Sequence, residues 1–297
     1  MIRPSLLLAA LLSAAALPAA ETPTFSNVSY GPHERNVLDL WQAKADKPTP
    51  LIVFIHGGGF RNGSKDQFAK NSVLRTALSK GVSCAAINYR FLYHAPVQDI
   101  LRDCARAVQY LRHRAPEWNL DKTRVGAMGG SAGAGTSLWL ATRDDLADPN
   151  ATDPILRESS RVKCAVLTST QATYDVTRWE SFLGPATPSF GREIELPLFY
   201  HLPGMDALKS DKGRAVLKEC DMLGWISKDD APIYMDSKQD VPKPTNRGEW
   251  LHCTTHARTV KKTLQDAGVE AIVLQDQTSS QPAPPAADWI LGKLLNP

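Results

Sequence analysis

Apolar residues in this chain fall into short continuous runs separated by polar and glycine-rich punctuation. Residues 51–55 (LIVFI) form a β-branched and aromatic run of the kind expected of a parallel strand buried on both faces. Residues 82–89, 123–128, 162–168, 232–235 and 271–274 read the same way. Residues 25–42 alternate instead, which predicts two antiparallel strands around a turn at Gly31-Pro32. Between these runs the spacing turns helical. After Pro96, apolar side chains at Ile100, Leu101, Cys104, Ala107, Val108 and Leu111 share one face, and Arg102, Asp103, Arg106 and Arg112 occupy others. Further helices are expected over 69–79, 132–143, 253–267 and 286–295. Strands alternating with helices predict a mostly parallel α/β sheet, with right-handed crossovers placing helices on both faces.

Residues 171–230 break the rhythm. About sixty residues crowd Trp179, Phe182, Phe190, Phe199, Tyr200 and several prolines among short segments, too many for a plain connection. They predict a helical cap inserted into one domain spanning 21–297, rich in aromatics that can line a pocket. A surface excursion that merely shields the sheet is the plainer alternative.

The first twenty residues have a positive start at Arg3, an apolar run at 6–17 too short to span a bilayer, and small residues before Glu21. This predicts a secretory signal peptide cleaved near Ala20, hence a secreted or periplasmic protein without stable membrane insertion after cleavage. The formal net charge of +3 gives no footprint for nucleic acid, so the expected partner is a small molecule, and no cofactor or metal is expected. The five cysteines are an odd number. Cys84, Cys104 and Cys164 fall on predicted core faces, whereas Cys220 and Cys253 leave a disulfide open in an oxidising compartment.

Two motifs carry the chemistry. Gly129-Gly130-Ser131-Ala132-Gly133 is a G-x-S-x-G pattern between a predicted strand and helix, where a sharp turn exposes a serine hydroxyl. Earlier, His56-Gly57-Gly58-Gly59 leaves the buried 51–55 run. Its backbone N–H groups, joined by that of Ala132, can face an oxygen that becomes negative during acyl transfer. The two motifs in this order, each after a buried strand, are far more specific than either alone.

On these residues the chain resembles the α/β-hydrolase superfamily, and within it the carbohydrate-esterase and hormone-sensitive-lipase-like group that pairs HGGG with GxSxG. Asn88-Tyr89-Arg90 and Trp118-Asn119-Leu120-Asp121 carry the same likeness. The resemblance implies an α/β-hydrolase fold, a Ser131 nucleophile, oxyanion donors at Gly58, Gly59 and Ala132, and a loop-shaping His56 that is not the base. It places the acid after the 232–235 strand, at Asp240 with Asp236 as runner-up. It places the base just past the last strand, where this chain reads Gln275-Asp276-Gln277-Thr278-Ser279-Ser280-Gln281.

No histidine follows His256, so the base is unassigned; His256, His252 and His201 are its candidates. His252, Cys253 and His256 also have a loose metal-ligand spacing, without the second cluster that a site needs. Two functions are therefore expected to compete. One is a secreted serine hydrolase of short acyl or carbohydrate esters. The other is a catalytically impaired relative that binds through a retained pocket.

Overall fold

The computed structural model describes residues 20–185, 197–237, 239–241, 243–274 and 283–296. The expected signal peptide, the 186–196 part of the expected cap and the polar run 275–281 thus lie outside the described residues.

In chain order the elements are β1 (Phe25–Ser29), β2 (Val37–Trp41), β3 (Thr49–Ile55), α1 (Ser72–Ser79), β4 (Ser83–Ile87), α2 (Val97–His113), β5 (Leu120–Gly130), α3 (Ala132–Thr142) and β6 (Cys164–Thr168). Then come α4 (Glu180–Leu183), α5 (Asp211–Cys220), α6 (Met222–Trp225), β7 (Ile233–Asp236), α7 (Arg247–His252), α8 (Thr254–Asp266), β8 (Ala271–Val273) and α9 (Ala286–Leu295). The eight strands form one sheet in the order β1-β2-β4-β3-β5-β6-β7-β8. β2 pairs antiparallel with both β1 and β4, and every later pairing is parallel. This is the α/β-hydrolase fold. The alternation at 25–42 and the continuous apolar runs thus became the antiparallel edge and the parallel centre.

Burial on both faces explains those runs. All seven residues of β3 are buried. Leu51, Val53 and Ile55 pack toward α2 and α3, whereas Ile52 and Phe54 pack toward α1 and α9. α3 is buried along its whole length. Only a helix of small and apolar residues, AGAGTSLWLAT, fits that central place without stranding a charge.

The resemblance motifs lock the loop that leaves β3. Asn88 Oδ1 accepts the Lys65 N–H at 2.7 Å, and Tyr89 donates its hydroxyl to the His56 carbonyl at 2.6 Å. Arg90 pairs with Asp103 on α2 at 2.8 Å. A buried ion pair, Lys65 to Asp39 at 2.8 Å, ties the far end of the loop to β2.

All five cysteines are free and buried, so Cys220 and Cys253, left open as a disulfide, are separate core thiols. The expected helix at 253–267 is α8, and the short α7 before it was not expected: α7 ends at His252, Cys253 is extended (φ −63°, ψ 151°), and α8 starts afresh at Thr254.

A very close approach lies where α3 meets β3. A Cβ on Gly133 would collide with the Ile55 carbonyl oxygen, a backbone atom fixed in the sheet. Gly133→Ala should therefore destabilise the protein by about 3 kcal/mol in urea unfolding, and a loss under about 1 kcal/mol would contradict this packing.

Candidate active site

Ser131 stands between β5 and α3 with φ 51° and ψ −117°, a strained conformation for a residue with a side chain. Its N–H donates to the Thr168 carbonyl at the end of β6 (2.9 Å), and its own carbonyl accepts the Gly135 N–H at 3.0 Å. The backbone is thus held on both sides, and the hydroxyl projects over the carboxyl end of the sheet.

The loop from β3 faces it. Gly58 and Gly59 adopt φ of 105° and 59°, the left-handed region that glycine tolerates, and both line a cavity of about 490 Å³ with Ser131 and Ala132. Ala132 is the first residue of α3, where backbone N–H groups have no intrahelical acceptor. His56 is fully buried and stacks on Tyr89 at 4.2 Å between ring centroids. Its Nδ1–H donates to the Gly57 carbonyl at 2.7 Å, so the ring braces the glycine loop. Burial pushes its pKa down to about 4.

The partner of Ser131 is His252. Its Nε2 lies 2.8 Å from Ser131 Oγ, and its Nδ1 lies 3.1 Å from the Gly248 carbonyl one helical turn back. A carbonyl only accepts, so Nδ1 carries the proton and Nε2 is free to accept from the serine. Burial is the main cause that lowers the pKa of His252, with nearby Arg247 acting the same way and the Gly248 hydrogen bond opposing both.

The histidine arrives from the segment after β7. Gln239 lies beside residues 253 and 254: Gln239 and Cys253 form a parallel bridge, and the Thr254 N–H donates to the Gln239 carbonyl at 2.9 Å. A capping box starts α7, with Asn246 Oδ1 accepting the Glu249 N–H (3.0 Å) and Glu249 Oε2 accepting the Thr245 N–H (2.7 Å). The sequence Asn246-Arg247-Gly248-Glu249 was the available signal for this helix.

The other candidates stand elsewhere. Asp240, expected to orient the base, instead meets Arg258 of α8 at 2.9 and 3.2 Å in a half-exposed pair. Its runner-up Asp236 ends β7. His201 Nε2–H donates to the Leu92 carbonyl at 2.6 Å. His256 is fully buried, with Nδ1 accepting the Ala172 N–H at 3.1 Å and Nε2–H donating to the Trp250 carbonyl at 2.9 Å. Burial pushes its pKa down to about 4.

Tyr174, Trp179, Phe199 and Trp250 give the cavity an aromatic wall, the first three from the segment between β6 and β7. A larger cleft of about 1080 Å³ beside α2 contains Arg90, Asp103, Arg106 and Asp153, but these cations are already paired, Arg106 with Asp153 at 2.6 Å. Among the described residues, His33, Glu34 and His94 come within metal-ligating reach of one another. Both imidazoles accept a backbone N–H at Nδ1, at 3.1 and 3.3 Å, the reverse of the donor role usual for a metal-bound histidine.

Sheet order, elbow and glycine loop together define a protein of the α/β-hydrolase class. The chain belongs to the BD-FAE family, whose model matches residues 38–240, a span that holds Ser131 and the glycine loop and ends before His252. It is 28% identical over 138 residues to the probable isoprenylcysteine alpha-carbonyl methylesterase ICMEL1 of Arabidopsis thaliana, covering 46% of this chain and 28% of that protein. It is 27% identical over 169 residues to esterase LipC of Mycobacterium tuberculosis, covering 55% and 39% respectively. The chain therefore spans well under half the length of these curated relatives.

Among solved structures, a truncated carbohydrate esterase from gut microbiota aligns with a TM-score of 0.69 at 17% identity, over 93% of this chain and 97% of that one. The Est2 esterase of Thermogutta terrifontis aligns at 0.59 and 20%, over 87% and 81%. At such identities the likeness is one of fold. No helix among the described residues is long and apolar enough to cross a membrane.

The two buried histidines set an acid limit on stability. Each has a folded pKa of about 4 against an unfolded value of about 6.5, so the native state resists protonation. Their contribution is fully present above pH 6.5 and is lost as pH falls toward 4, each costing about 3 kcal/mol at the low end. Urea midpoints should fall between pH 7 and 4.5; a flat profile would contradict the neutral burial of both rings.

Proposed function

We propose that this protein is a hydrolase of carboxylic esters, with Ser131 as nucleophile and His252 as base. The observation that carries the reading is the 2.8 Å approach of His252 Nε2 to Ser131 Oγ. Ser131 Oγ attacks the ester carbonyl carbon while its proton passes to His252 Nε2. The carbonyl oxygen becomes negative, facing the N–H groups of Gly58, Gly59 and Ala132. Collapse of the adduct expels the alcohol, which takes the proton back from His252, and water repeats the sequence to release the acid.

The Gly248 carbonyl takes the orienting role that the family resemblance implied for Asp240. It fixes the tautomer but supplies a dipole where a carboxylate would supply a full charge. Residues 171–230 serve as a cap whose aromatic side chains close the cavity, and residues 1–20 as a secretory signal. The esterase names of the relatives, and the carbohydrate esterase among the structural neighbours, favour short acyl or carbohydrate esters as substrates.

A second reading, a binding module with an impaired site, is favoured by one observation: His252 Nδ1 faces a carbonyl, which stabilises an imidazolium less than a carboxylate does. Turnover of short acyl esters decides between the two. The hydrolase reading expects Ser131→Ala and His252→Ala each to lower kcat/KM by about 10³-fold or more. Turnover indifferent to Ser131→Ala, or none at all, would support the binding module.

The pH profile gives a separate check. A base with a lowered pKa stays neutral further into acid, so the acid limb of kcat/KM should fall below the ordinary histidine value of about 6.5. A limb at or above that value would contradict the environment assigned to His252.

A further inference from the structure

Three consecutive carbonyls at the end of α7 meet side chains from outside the helix. His256 Nε2 donates to Trp250 at 2.9 Å, Gln171 Nε2 to Leu251 at 2.8 Å, and Ser237 Oγ to His252 at 3.2 Å. These belong to the last-turn carbonyls for which a helix has no donors of its own. In so short a helix, outside donors therefore fix where the final residue points.

Two of the three supports lead back to the loop after β6. Gln171 belongs to that loop, and His256 is joined to it because its Nδ1 accepts the Ala172 N–H at 3.1 Å. The loop starts at Thr168, the residue whose carbonyl holds the Ser131 N–H. Ser131 and His252 are thus both anchored to the end of β6, Ser131 directly and His252 through His256 and Gln171. The His256 ring has little freedom, since Trp179 and Phe182 meet it edge-on at 4.7 and 5.5 Å between ring centroids.

We propose that His256 is a positioning residue for His252, holding the end of α7 against the loop after β6 so that Nε2 reaches Ser131 Oγ. The proposal rests on the assignment of Ser131 and His252 as the reacting pair. Both ring nitrogens of His256 are spent on the backbone groups of Ala172 and Trp250, not on the reacting atoms. Gln171 shares the task but also lines the cavity, so His256 is the cleaner test.

The experiment compares the wild type with His256→Leu, which removes both hydrogen bonds, and His256→Gln, which keeps a donor near Trp250. A misplaced base should cost His256→Leu about 10- to 100-fold in kcat with KM within about twofold, and His256→Gln should recover most of the loss. A second readout needs no turnover: the Nδ1–H resonance of His252 in nitrogen-15 spectra. It should be resolved in the wild type, where Gly248 accepts it, and broadened by exchange in His256→Leu. Should His256→Leu fail to fold, His256→Gln and Gln171→Met carry the same comparison.

A folded His256→Leu with a wild-type His252 resonance and wild-type kcat would overturn the proposal. So would a rise in KM at unchanged kcat. If the wild type turns over no ester, the hydrolase reading fails by itself, and the resonance still decides whether His256 holds His252 in place.

Discussion

The contact on which the site depends is the approach of α3 to β3, where Gly133 comes against the Ile55 carbonyl with no room for a side chain. Because the helix can come that close, its first residue lies over the carboxyl end of the sheet and Ser131 is bent into a conformation that few residues adopt. The strain is offset by the hydrogen bond from Ser131 to Thr168 on the neighbouring strand and by the complete burial of α3. β3 serves twice, since the residues that follow Ile55 are the glycine loop. One packing contact thus sets the distance between the serine hydroxyl and the backbone groups facing it.

The proposed base, His252, solves a different problem. A histidine after β8 would reach the serine from a loop fixed by the last strand. Here the imidazole stands at the end of a six-residue helix after β7, held by a bridge between Gln239 and Cys253 and by donors to its terminal carbonyls. Its Nδ1–H goes to a carbonyl of its own helix, so its orientation is local. The chemical cost is that burial, with Arg247 close by, lowers the pKa of His252, and the Gly248 dipole offsets only part of that where a carboxylate would offset more. A base of lower pKa stays available in acid but pulls less strongly on the serine proton.

Most of the fold was legible, because parallel strands buried on both faces must be written as unbroken apolar runs and the elbow must be written in small residues. Residues 51–55 and the Gly129 to Gly133 stretch show both rules. The histidine that meets Ser131 was harder for a physical reason. Six residues are too few for hydrophobic periodicity to show, so α7 went unread and the expected helix began only at 253. In one continuous helix His252 and His256 would share a face. The extended backbone at Cys253 separates them, sending His252 to Ser131 and His256 into the interior. Asp240 had the right place in sequence, but its side chain turns to Arg258, a pairing that no motif foretells.

Whether Ser131 is activated by His252 is tested most directly by mapping the adduct of a fluorophosphonate probe at neutral pH, in the wild type and in His252→Ala. Stoichiometric modification of Ser131 alone, slowed severely when His252 is removed, is the expected result. No adduct on Ser131 in the wild type, or labelling at an equal rate without His252, would contradict it.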